Sequence, residues 1–179
     1  MTSRRIRIAG GLISATAILT PLVISGPIVS AEAATTPVVP VAKVVRQATK
    51  KTWAERRKLA LKALSYVEKV KGRPYSWGAS GPNAFDCSGL TSWAYLKAGV
   101  ILPRVAHDQH MGVKNKISWN DLAPGDLVFF YGDGHVGIVS QRVRGKIYMI
   151  HAPHTGDHVR QVLLDGYRKA TFSGAVRPY

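Results

Sequence analysis

Apolar positions follow three different rhythms along this chain. Behind Arg4, Arg5 and Arg7 an apolar stretch runs from Ile8 to Val29. Further on, Leu59, Leu61, Leu64, Val67 and Val70 recur at helical spacing until Gly72, and Thr52-Trp53-Ala54-Glu55 has the form of a capping box. This predicts a helix over about 53–71, with Pro74 beyond its end. A second helix is predicted from Asp86 as N-cap to Gly99 as stop, with Leu90, Trp93, Ala94 and Leu96 on its apolar side and Lys97 in the last turn. A short helical piece fits 105–111. Beyond Pro124-Gly125 the pattern turns to strands: Asp126–Tyr131, His135–Gln141, Lys146–His151, Gln161–Leu164 and Thr171–Arg177, separated by turn signals such as Gly132-Asp133-Gly134 and Arg144-Gly145. Helices first and a mainly antiparallel sheet of about five strands afterwards make an α+β domain.

Arginines ahead of an apolar run, followed by small residues, have the form of a secretory signal. Ala31-Glu32-Ala33 fits a small-x-small cleavage site, so residues 1–33 are expected to leave, with no stable membrane span after cleavage. An uncleaved anchor is the alternative, against which Pro21, Gly26 and Pro27 interrupt the run. Ser3-Arg4-Arg5 hints at a twin-arginine signal, while Arg7 stands where an apolar residue is preferred, and the export route stays open. Residues 34–51 hold two prolines and several positive charges without an apolar period and read as a linker, leaving 52–179 as the folded domain.

Composition narrows the picture without deciding it. A chain of 179 residues, 46% hydrophobic and 20% charged, has room and apolar mass for one ordinary core, which excludes wholesale disorder and a multidomain machine. The formal charge of +15 favours polyanionic partners, and Lys43, Arg46, Lys50, Lys51, Arg56, Arg57, Lys58 and Lys62 crowd one stretch. Charge alone does not choose among nucleic acid, anionic lipid and anionic wall polymers, and ordinary solubility accounts for it equally well. No nucleic-acid recognition motif accompanies it, so nucleic acid is not an expected partner.

An exported chain meets oxidising conditions, yet Cys87 is its one cysteine and no internal disulfide can form. Cys87 is therefore either a small buried apolar residue or a thiol kept for its chemistry. Its predicted position in the first turn of a helix exposes the sulfur to free N–H groups and the positive dipole end, so a thiol pKa well below that of free cysteine is expected. A general base has to come from the strands. His135 opens one strand and His151 closes the next, and neighbouring antiparallel strands can present the two imidazoles side by side, the second orienting the first.

The local sequences Tyr75-Ser-Trp-Gly, Phe85-Asp-Cys-Ser-Gly-Leu, Leu102-Pro-Arg, Leu122-Ala-Pro-Gly-Asp-Leu-Val-Phe-Phe, His135-Val-Gly-Ile-Val and Ile150-His-Ala-Pro occur in this order. Together, over about residues 55–178, they resemble the NlpC-type (NlpC/p60) papain-like cysteine peptidases that cut bacterial cell-wall peptides. The resemblance implies a papain-like fold, with Cys87 as nucleophile, His135 as general base and acid, and His151 as the orienting third residue. Tyr75 resembles the family tyrosine lining the site, and Asp86 and Ser88 resemble residues shaping the pocket for the substrate's free amine end. Asp86 and Ser88 also read as capping residues alone, and Tyr75 as a packed loop aromatic. The implied reaction is hydrolysis of the amide between the γ-carboxyl of D-glutamate and diaminopimelate or lysine in peptidoglycan stem peptides. It needs no cofactor and no metal, and implies a secreted or wall-associated monomer.

Two departures stand out. Ala79-Ser80 takes the place of a second glycine after Trp-Gly, and His107 follows Leu-Pro-Arg-Val-Ala where small hydroxyl residues are common. Two rival functions remain. A metal hydrolase would draw on His151, His154 and His158 or on His107 and His110, but no His-Glu-x-x-His helix is present and Cys87 would be unexplained. A non-enzymatic basic wall-binding module would keep its function after Cys87→Ala.

Overall fold

A computed structural model describes residues 51–179. The expected signal segment 1–33 and the linker up to residue 50 lie outside the described residues. Helix α1 spans Trp53–Lys69 and starts with the predicted capping box: Thr52 Oγ1 accepts from Glu55 N at 3.3 Å, and Glu55 accepts from Thr52 N at 2.7 Å. Its buried seam is Ala60, Ala63, Leu64 and Val67, whereas Leu61, counted as apolar face in the sequence, is exposed. Ala60 is small because the Pro124-Gly125 turn lies directly on it: a Cβ at Gly125 would stand 2.5 Å from the Ala60 Cβ.

Helix α2, Cys87–Ala98, is capped by Asp86 and ends at Gly99 with φ +93°, as the sequence predicts. Its Tyr95 is fully buried and donates its hydroxyl to Gly125 O, while Leu96 is 61% exposed and not part of the packed side. Helix α3 spans Ala106–Gly112.

The sheet has six strands in the order β1-β6-β2-β3-β4-β5, with every pairing antiparallel. They are β1 Lys116–Ile117, β2 Leu127–Phe130, β3 His135–Val143, β4 Lys146–His151, β5 Arg160–Leu163 and β6 Phe172–Val176. The sixth, two-residue β1 and the five-residue helix α4, Gly166–Ala170, carry too few positions to show a period, which is why the sequence predicts neither.

Strand β2 is buried on both faces. Leu127 and Phe129 join the helices with Val136, Ile138 and Ile150, and Val128 and Phe130 join a second cluster with Val139, Met149 and Leu164. At its start, buried Asp126 accepts from Arg177 Nε at 2.8 Å and Nη2 at 2.9 Å and from Ala123 N at 2.8 Å, tying the end of the chain to the turn before β2. Among the described residues no helix is long and apolar enough to cross a membrane.

Candidate active site

Cys87 stands at the first position of α2, where backbone N–H groups have no partner within the helix. The loop before it folds back over this end. Asp86 N donates to Ala79 O at 2.9 Å, and a Cβ on Gly89 would lie 2.1 Å from the same oxygen, so only glycine lets the loop pass. That loop is in turn zipped to the segment after β4: Gly72 N donates to Val159 O, Val159 N to Arg73 O and Tyr75 N to Asp157 O, each at 2.8 Å. Tyr75 is half-buried, and burial together with the nearby Cys87 and Asp86 raises its pKa.

Asp86 does more than cap. Its carboxylate accepts from Gly89 N at 2.6 Å and Gly78 N at 2.9 Å, and takes a two-pronged ion pair from Arg104 at 3.0 and 2.6 Å. Arg104 also donates to Ser88 Oγ at 3.0 Å. Arg104 is a site residue that the sequence reading quoted in Leu102-Pro-Arg without giving it a role. Its pairing leaves the Asp86 carboxylate matched by a guanidinium. A cavity of about 450 Å³ opens here, lined by Cys87, Asp86, Ser88, Arg104, the 87%-exposed Trp77, and Gly134.

The two histidines meet across strands β3 and β4. His135 Nε2 and His151 Nδ1 are 2.7 Å apart, and both residues are buried. Gly137 makes the meeting possible: a Cβ there would stand 2.6 Å from Met149 Sδ, 3.2 Å from Ile150 O and 3.3 Å from the His151 Cβ. Cys87 is brought to the backbone N–H of Val136, the residue next to His135. Among the described residues no hydrogen bond joins its sulfur to the His135 ring.

The electrostatics correct one expectation. Burial pushes the Cys87 thiol up rather than down; the N–H groups of Val136 and Ser88 work against this and the Asp86 charge adds to it. Burial also lowers His135 to about 4, aided by Arg168 and His154, and lowers His151 to about 2, aided by His135 and Arg168. The N–H of Ser88 at the helix start does pull the thiol down, as the sequence suggests, but burial of the sulfur is the larger cause. Cys87, His135 and His151 are therefore uncharged at rest.

The rival metal ligands flank this arrangement without converging: His107 lines the Cys87 cavity and His154 lies beside His135 and His151. His107 and His110 both reach Asp133, at 3.2 and 2.8 Å, while His154 contacts Thr155 O and the His158 backbone pairs with Pro74. Among the described residues no group of three or more His, Cys, Asp or Glu side chains is arranged to hold a metal ion.

A cysteine at a helix start beside the histidine-bearing end of an antiparallel sheet defines a papain-like α+β domain. The NlpC/P60 family profile matches residues 72–177, and the chain belongs to that family. It is 46% identical over 95 residues to a probable endopeptidase of Corynebacterium glutamicum, covering 52% of this chain and 43% of that protein. It is 52% identical over 77 residues to the bifunctional muramidase/DL-endopeptidase CwlT of Bacillus subtilis, covering 39% of this chain and 23% of that one. A crystal structure of an NLP/P60-family, lipoprotein-like protein of Staphylococcus aureus superposes with a TM-score of 0.55 at 33% identity, covering 73% of this chain and 43% of that chain. The chain thus spans less than half the length of these relatives.

Proposed function

We propose that this chain is an exported cysteine endopeptidase acting on peptidoglycan stem peptides, at the amide between the γ-carboxyl of D-glutamate and the diamino acid. The observation that carries this reading is the histidine pair, His135 and His151, 2.7 Å apart at the strand end whose next backbone N–H meets the Cys87 sulfur. The endopeptidase names of the relatives agree with it.

The tautomers follow from the roles. For His135 to accept the thiol proton at Nδ1, its Nε2 carries a proton and donates it to His151 Nδ1, and His151 in turn carries its proton on Nε2. As Cys87 attacks, its proton passes to His135 Nδ1, the S–C bond forms, and thiolate and imidazolium character coexist during the attack rather than at rest. The free N–H of Cys87 at the helix start stabilises the oxyanion. The C–N bond then breaks, and His135 returns the proton to the departing amine. Water, deprotonated by His135, opens the thioester, releasing the acid and restoring the thiol. Tyr75, Asp86 and Ser88, held in place by Arg104, receive the acyl side with its free amine end. The basic surface holds the exported protein to anionic wall polymers.

Mass spectrometry of purified wall fragments digested by the chain tests this directly. New γ-D-glutamyl termini that disappear with Cys87→Ala are expected; intact fragments, or cleavage surviving Cys87→Ala, would overturn it.

A further inference from the structure

Beyond the histidine pair lies a second cavity, of about 380 Å³, whose chemistry the mechanism above leaves unused. It is lined by His135, His151, His154, Arg160 and Arg168, and it shares Gly134 with the cavity that holds Cys87. No acidic side chain lines it. Arg160 is already paired with Asp157 at 2.9 Å. Arg168 differs. Its guanidinium lies 5.9 Å from the centre of the Phe130 ring, half-buried, and meets no carboxylate among the described residues. Its charge reaches both His135 and His151. A cation seated on an aromatic face, partly out of water and without a counter-ion, is a prepared acceptor for an anionic group.

The reaction says which part of a substrate arrives there. His135 hands its proton to the departing amine, so the leaving residue lies on the His135 side of the cut bond, while the acyl side lies towards Cys87, Asp86 and Ser88. We propose that the basic cavity is the subsite of the leaving residue and that Arg168 binds a carboxylate carried by it, so that stem peptides with diaminopimelate are preferred over those with lysine. This rests on the peptidase reading, since only a cut at Cys87 assigns the two cavities to the two sides of the bond. Diaminopimelate and lysine differ in this respect by one carboxylate at the far end of the side chain, and a half-buried guanidinium distinguishes its presence from its absence by at least about tenfold.

The test separates binding from cleavage. The Cys87→Ala chain is titrated at low salt with the free leaving pieces, diaminopimelyl-D-alanine and lysyl-D-alanine, with the ring resonances of His135 and His151 as reporters. The first is expected to bind at least about tenfold more tightly. Amidating its side-chain carboxylate removes that advantage on the unaltered surface, a measurement that needs no further variant. Arg168→Gln brings the ratio close to one, and Arg168→Lys keeps part of it. Equal binding of the two pieces, an advantage that survives amidation, or one that survives Arg168→Gln in a chain that melts normally overturns the proposal. Absence of wall cleavage by the unaltered chain, with the binding preference intact, would instead strike the peptidase reading.

Discussion

Gly137→Ala is the sharpest probe of how the two imidazoles are brought together. The added Cβ would sit 2.6 Å from Met149 Sδ, 3.2 Å from Ile150 O and 3.3 Å from the His151 Cβ. Carbon contacts are comfortable at about 3.5–4.0 Å, so the first demands a shift of about 1 Å and the others of a few tenths. The methionine can swing away, since its thioether is adaptable. Ile150 O and the His151 Cβ are held by the β4 ladder, so the strand itself has to give. Overpacking of this kind costs about 1–3 kcal/mol, which for a domain of this size lowers Tm by about 3–12 °C. The same displacement lengthens the 2.7 Å His135–His151 bond and turns the His135 ring away from Cys87. Loss of kcat/KM by about tenfold to a hundredfold is expected, at temperatures where the variant is fully folded. Urea unfolding and stem-peptide turnover, measured side by side, check both parts. A variant with wild-type Tm and turnover within about twofold would refute the reasoning; a lowered Tm with unchanged turnover would refute the positioning role alone.

Other consequences are as direct. Alkylation of Cys87 by iodoacetamide should accelerate only above neutrality, because burial raises the thiol; a rate that holds steady well below pH 7 would contradict a resting thiol that is uncharged. The depressed histidines link stability to pH: their neutral forms are favoured in the fold, so this stability is complete above pH 6.5 and is lost as pH falls towards about 4 for His135 and about 2 for His151. Between pH 6 and 4 the unfolded chain binds up to two more protons, and unfolding free energy should fall by about 2–3 kcal/mol per pH unit, read from urea titrations; a flat profile would count against it. Asp126→Ala strands Arg177 at the start of β2 and should destabilise by about 3–5 kcal/mol in the same assay, with a change under about 1 kcal/mol counting against a buried, working pair.

What the sequence makes legible is whatever acts over a few residues. Thr52 with Glu55, Asp86 with Gly89 and the left-handed Gly99 are local hydrogen-bonding solutions, and each is found where the pattern points. Strand β4 runs from Lys146 to His151 as read, because the Arg144-Gly145 turn fixes where it starts. The readings that fail depend on what lies opposite. Leu61 and Leu96 look like core but face water, since the turn at Gly125 asks for Ala60 on α1 and Tyr95 on α2. The ion pair of Arg104 with Asp86 joins residues eighteen positions apart, and nothing in either neighbourhood announces it. The thiol is misjudged for the same reason. A helix start is visible in the sequence, but the tertiary burial of the sulfur is not. The role for Arg168 comes likewise from an arrangement, a cation over Phe130 beside two histidines, that no spacing encodes.

The passage of Ala79 O over Gly89 has an implication for anyone wishing to retune this protein. The main chain around Ala79 and the first turn of α2 behave as one casting, and through Tyr75 N and Asp157 O that casting extends to the stretch following His151. Directed variation has no freedom there: a side chain at position 89 separates the two pieces and misaligns Cys87 and His135 together. Trp77, almost wholly outside the packed interior on the lip of the same loop, is where diversity can be introduced while the frame that aims the chemistry stays whole.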